Sequence, residues 1–103
     1  MKVKVSETEG ETLSYLVGRA MGFTPGNLFR PSADWAQAGP IVEREKIGVV
    51  PSPDDVSMWI ASMFESDWRF NRTGPTPLIA AMRCYVAGRL GEEVEVPDEF
   101  SSN

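Results

Sequence analysis

Residues 56–64 read VSMWIASMF, and the fold turns on whether they form a strand or a helix. Val56, Trp59, Ile60, Met63 and Phe64 recur at helical spacing. Ser52, Pro53, Asp54 and Asp55, just upstream, are residues that start helices. The wider context favours a strand. IGVV ends at Val50, and PSPDD (51–55) is a Pro- and Asp-rich turn between two apolar runs, the pattern of a hairpin. Periodicity alone does not decide between the two, and the turn tips the balance toward strand, turn, strand. DWRFN (67–71) then reads as a third strand or its continuation.

The segment downstream is clearer. In GPTPLIAAMRCYVAGRLG (74–91), Thr76 is a good N-cap and Pro77 a good first helical residue. Leu78, Met82, Tyr85, Val86, Arg89 and Leu90 form a stripe with Ile79 beside it, and Gly91 stops the helix. About 14 residues span about 21 Å, enough to cover one face of a small sheet. EEVEVPDEF (92–100) alternates Val94 and Val96 against acids, like an edge strand or an extended tail. The residues from about 97 to 103 read as a flexible tail.

Upstream, GPIVEREKI reads as a short helix with Pro40 in its first turn and Ile41, Val42, Glu45 and Lys46 giving its amphipathic pattern. FTPGNLFRPSADWAQAG (23–39) reads as loop. Phe23, Leu28, Phe29 and Trp35 are too apolar for a loose linker and are expected to lie on the core. MKVKV alternates like a short strand. Ser6 with Glu9, or Thr8 with Glu11, has capping-box spacing. Leu13, Leu16, Val17, Ala20 and Met21 then predict a helix from about Glu9 to Met21, with Gly22 as its stop. Gly18 inside it costs about 1 kcal/mol relative to Ala, unless a close neighbour needs the room. The class is α+β: a single small domain over 1–103, with a short antiparallel sheet packed with two or three helices.

Composition narrows function by exclusion. At 103 residues the chain fits one domain. With 42% hydrophobic and 24% charged residues, it has enough apolar material for a core and is not disordered. The net charge is −5, and the ten Lys and Arg are scattered among fifteen acids. That gives no concentrated basic patch for nucleic acid. No apolar run would span a bilayer, and the N-terminus has no secretion signal, so no membrane partner and a cytoplasmic location are expected. There is no histidine and one cysteine, Cys84. The commonest general base and metal ligand are thus missing, and a Cys nucleophile would lack its partner. The chain is expected not to be an enzyme and to need no cofactor. Asp54-Asp55, Glu43 with Glu45, and Glu92-Glu93-Glu95 lack metal-ligand spacing and read as a solvated face. Cys84, in mid-helix, reads as a core residue.

MKVKVSE at the start, RPSADWAQAGPIVEREKI, and GPTPLIAAMRCYVAGRLGEEVEVPDE together resemble the NinX-like family of small proteins of temperate tailed phages and prophages. The resemblance covers most of the chain. GFTPGNLF and SPDDVSMWIASMFESDWRFN depart from it, and Tyr15 stands where a Trp is expected. LSYLVGRAMGF, the W-x-A motif in WIA, and TPLIAAMRCYVAGRL are also similar to the broader phage domains described as an alpha-beta-alpha sandwich. That similarity implies a strand in the region from Val56 to Phe64, and a small antiparallel sheet packed with helices. It implies no reaction, cofactor or catalytic residue.

The expected role is therefore that of a phage accessory protein that binds a host or phage protein. Trp35 between Asp34 and Gln37 has the mixture of an aromatic anchor and polar neighbours that interaction hot spots favour; the plainer reading is a Trp that covers the core. The alternative role is binding of a small anionic ligand such as a nucleotide. Arg69 and Arg72, near Trp68, would flank the free N–H groups of Thr76 to Leu78, although Pro77 removes one donor. The plainer reading has Thr76 capping its helix and the arginines pairing with surface acids. An exposed VEVP edge could also pair across a two-fold axis to form an oligomer.

Overall fold

The computed structural model describes residues 1–26, 28–63 and 71–100. In chain order the elements are β1 (Lys2–Lys4), a 3-10 turn (Val5–Glu7), α1 (Gly10–Met21), α2 (Trp35–Glu45), β2 (Ile47–Pro51), β3 (Trp59–Met63), β4 (Arg72–Gly74), α3 (Pro77–Leu90), β5 (Glu93–Glu95) and a final 3-10 turn (Asp98–Phe100).

Trp59–Met63, within the deciding stretch, is a strand. β3 pairs antiparallel with β2, with Ile47 opposite Met63 and Pro51 opposite Trp59, and its other edge takes β4, with Ala61 opposite Arg72. The helix-start signal at Ser52 is nonetheless used. The Ser52 hydroxyl accepts from the N–H groups of Asp54 and Asp55, both at 3.3 Å, as an N-cap would. The chain then turns back instead of coiling on. Asp55 accepts from the N–H and hydroxyl of Ser57, and Met58 N–H donates to the Asp55 carbonyl. Local side-chain bonds thus compete successfully with helix propagation. Val56, counted above in the apolar pattern, belongs to this loop and is 98% exposed.

α3 has the limits read from the sequence. The Thr76 hydroxyl accepts from Ile79 N–H at 3.1 Å, Pro77 follows, and Gly91 lies just beyond the end. Its environment is different from the one expected. Ala80, Ala81, Arg83 and Cys84 are buried as well as Leu78, Met82, Tyr85 and Val86. A helix apolar on all sides belongs in a core rather than on a sheet face. α3 accordingly contacts β2, β3 and β4 on the sheet side, and also α1, α2 and β5. The sheet and helices implied by the resemblance are present, and α3 is the element that joins them.

α1 begins one residue later than expected, and neither capping box forms. Glu9 caps with backbone only, while the Thr8 hydroxyl donates to the Val5 carbonyl. Gly22 ends the helix in the left-handed region at φ 97°. Gly18 has the close neighbour that justifies it, because a Cβ there would lie 2.6 Å from Cγ of Pro25.

α2 corrects the loop expected over 23–39. It starts at Trp35, because Asp34 accepts from Ala36 N–H at 2.9 Å and so caps it. Pro40 falls inside the helix instead of in its first turn. Pro40 and Ala36, whose carbonyl it leaves without an N–H, are both exposed residues, where water can replace the lost bond. The loop before α2 is held by Pro31 and Ser32 more than by its large side chains. Pro31 is fully buried, and the Ser32 hydroxyl bonds to Ser14 and to the Gly10 carbonyl. Of the four large apolar residues expected on the core there, Phe29 packs against it, whereas Phe23, Leu28 and Trp35 are exposed.

The VEVP segment is an edge strand. β5 pairs antiparallel with β1, aligning Lys2 with Glu95, Val3 with Val94 and Lys4 with Glu93. Each Lys faces an acid, which favours this register. Among the described residues no helix is long and apolar enough to cross a membrane.

Candidate functional site

The corner at the start of α2 carries three of the residues singled out from the sequence, and each has a distinct position. Asp34 is spent as the N-cap. Gln37 is a clamp. Its amide oxygen accepts from Arg30 N–H at 2.6 Å, and its amide nitrogen donates to the Leu28 carbonyl at 2.8 Å. Both ends of the side chain are thereby used to fasten the 28–30 segment onto the helix. Trp35, the first residue of α2, is 53% exposed, so it does not cover the core. Leu28, whose carbonyl Gln37 holds, is 82% exposed. Two large apolar side chains thus stand out from backbone that is pinned by a cap and a bidentate amide.

The same fastened segment forms one wall of a groove of about 340 Å³. α1 supplies Tyr15 and Glu11, the loop supplies Pro25, Phe29 and Arg30, and the C-terminal turn supplies Pro97, Glu99 and Phe100. The rings of Tyr15 and Phe100 lie 4.8 Å apart, and Phe29 meets Phe23 edge-on at 5.0 Å. The Tyr15 hydroxyl accepts from Nη1 of Arg19. The sequence reading did not find this groove. Its rings come from three distant segments, and only the turn at Asp98–Phe100 brings the last of them over α1.

The second set of residues singled out is only partly within the structure. Trp68 and Arg69 lie outside the described residues. Arg72 is on β4, where Nε donates to Glu92 at 2.9 Å and Nη1 donates to the Asn71 carbonyl. Thr76 uses its hydroxyl to cap α3.

One residue there was overlooked. Arg83 is 7% exposed. Its Nε donates to the Thr8 carbonyl and its Nη1 to the Thr73 carbonyl, both at 2.8 Å. Burial pulls the pKa of its guanidinium down, while the charges of Glu9 and Glu92 act the other way. The signal for it was available: Arg83 is the only charged residue between Pro77 and Gly88, in a stretch apolar on every side. Next to it, the Cys84 thiol is buried, and that burial pushes its pKa up to about 11. Such a thiol is a poor nucleophile at neutral pH.

No curated protein matches the chain. A family model described as Bacteriophage P22, NinX matches residues 23–89. That span runs from the loop before α2 through nearly all of α3. It takes in FTPGNLF and the whole hairpin, where the sequence departed from the expected pattern, and leaves out β1, α1 and β5. A match over more than half the chain, reaching through nearly all of its most buried helix, places this protein in the phage NinX family.

Proposed function

We propose that this phage accessory protein acts in the host cytoplasm by non-enzymatic binding to a host or phage protein, and that Trp35 anchors the contact. The observation that carries the reading is Trp35 itself, half-exposed at the first position of a helix whose start is fixed by Asp34 and Gln37. An exposed Trp on rigid backbone loses little entropy on binding, the usual economy of an anchor residue. A chain without histidine, whose single thiol is buried, is also better suited to binding than to catalysis. The anionic-ligand alternative has less support. Arg72 already pairs with Glu92, and the α3 N-terminus has its own cap.

The test compares Trp35→Ala with Val56→Ala, a control at another exposed apolar side chain. Partners are captured from phage-infected cells, and the melting temperature of each variant is recorded. Trp35→Ala should reduce retention of a specific partner by about 30-fold or more, as loss of a hot-spot residue does, with its melting temperature unchanged. Val56→Ala should retain the partner. If the two variants retain it equally, or if Trp35→Ala simply unfolds the protein, Trp35 is not a binding anchor.

A further inference from the structure

We propose that the groove between α1, the 24–30 loop and the Asp98–Phe100 turn binds a proline-rich segment of a partner protein that carries a basic residue. This rests on the reading that the protein acts by binding another protein, and it names the kind of segment bound.

The groove walls are three half-buried aromatic rings, Tyr15, Phe29 and Phe100, with Pro25 and Pro97 beside them. None of its lining residues belongs to a strand, so it presents no edge for a peptide to join by main-chain bonds. A ligand here must already be content without such bonds. A polyproline II segment meets that condition, because its backbone makes no internal hydrogen bonds and its ring faces pack on aromatics. The Tyr15 hydroxyl accepts from Arg19, which leaves its own proton for a peptide carbonyl. Charge sets the second requirement. Glu11 lies one helical turn before Tyr15 and Glu99 adjoins Phe100, so two carboxylate residues line the groove next to the tilted ring pair, while Arg30 lines it next to Phe29. A Lys or Arg next to the docked prolines would meet those carboxylates. The Gln37 clamp holds the wall that carries Phe29 and Arg30, so the groove is formed before any ligand arrives.

The probe is a capped nine-residue peptide, prolines with one central lysine, titrated into the full ¹⁵N-labelled chain. We expect saturable amide shifts at Tyr15, Phe29 and Phe100. A peptide with glutamate in place of lysine should bind about fivefold more weakly, the effect of reversing one exposed ion pair. A glycine–serine peptide with the same lysine should give no saturable shift. Tyr15→Phe, which keeps the ring, should weaken binding about threefold to tenfold. Phe100→Ala, near the end of the chain, should abolish binding while the melting temperature stays within a few degrees. The proposal is overturned if no saturable shift occurs by roughly 5 mM peptide, well above the weakest useful affinities. Equal binding of the lysine and glutamate peptides would overturn it too, as would shifts at these residues that grow with protein concentration alone, since a second copy would then be the occupant. A partner retained through Trp35 and indifferent to Phe100→Ala would leave the protein-binding reading standing and overturn this one.

Discussion

Replacing Arg83 by Met should destabilise the protein by about 2 kcal/mol. The buried guanidinium makes two hydrogen bonds, to the carbonyls of Thr8 and Thr73. One carbonyl precedes α1 and the other lies on β4, so Arg83 ties both to α3. Hydrogen bonds to a charged group contribute about 1.5–3 kcal/mol each, and Met leaves both carbonyls without that partner. Relief works in the other direction. Among the described residues Arg83 has no ion pair, so burying its charge carries a desolvation cost that Met removes. Swaps of buried charge for apolar side chains recover about 1–4 kcal/mol. The difference leaves the lost bonds ahead. The assay is urea unfolding followed by tryptophan fluorescence. With a slope near 1.2 kcal/mol/M, typical of a small domain, the midpoint should fall by about 1.5–2 M. Arg83→Lys keeps the charge and can reach one carbonyl at most, so its midpoint should lie between the two. If Arg83→Met unfolds within about 0.5 M of the parent, relief of desolvation equals the bonds, and Arg83 is not what joins these elements.

Gly18→Ala should destabilise despite the better helix propensity of Ala. Its Cβ would meet the Pro25 ring at 2.6 Å, and overpacking costs about 1–3 kcal/mol against a propensity gain of about 1 kcal/mol; an unchanged or raised melting temperature would show that the loop yields freely. Lys46→Gly should stabilise by about 1 kcal/mol, because Lys46 caps α2 at φ 54° and ψ 49°, where glycine has no steric cost; chemical denaturation with no rise in midpoint would refute it. Gln37→Ala should free the 28–30 segment, and hydrogen exchange at Arg30 N–H should then quicken by at least about tenfold, since roughly 1–2 kcal/mol of bonding is lost; unchanged exchange would mean that other contacts hold the loop. Stability should fall between pH 9 and 11. The Cys84 pKa is raised from 9.0 to about 11 in the folded chain, so the unfolded chain loses its thiol proton first, and the loss approaches roughly 2–3 kcal/mol; Cys84→Ala should show a shallower decline over that window, and identical pH profiles would contradict the assignment.

What the sequence disclosed followed from how local each signal was. The ends of α3 were legible because Thr76, Pro77 and Gly91 act on their own neighbours. The strand at Trp59–Met63 was legible from the turn before it, although Val56 proved to be part of that turn. The start of α2 was missed because Pro40 resembles a first-turn residue, while the true cap, Asp34, sits among loop-forming residues. Trp35 is exposed although its apolar bulk within a Pro- and Gly-rich stretch favours a place on the core, and Gln37 beside it has the polar character of a recognition residue. Its amide meets Leu28 and Arg30, and no local pattern announces that contact. The groove depends on Tyr15, Phe29 and Phe100 converging from separate segments, which only the tertiary fold produces. Arg83 was legible in principle, as a lone charge in an apolar helix.

The pairing of β1 with β5 also has a consequence for how the chain is made. Lys2 cannot meet Glu95 until the ribosome has added 93 more residues. At about 5–20 residues per second that takes roughly 5–20 s. Throughout that interval Lys2–Lys4 lacks its partner strand, in a cell crowded with other unfinished chains. Its brevity and its two lysines are features that blunt a strand edge against wrong pairing while its acidic complement is still to be made.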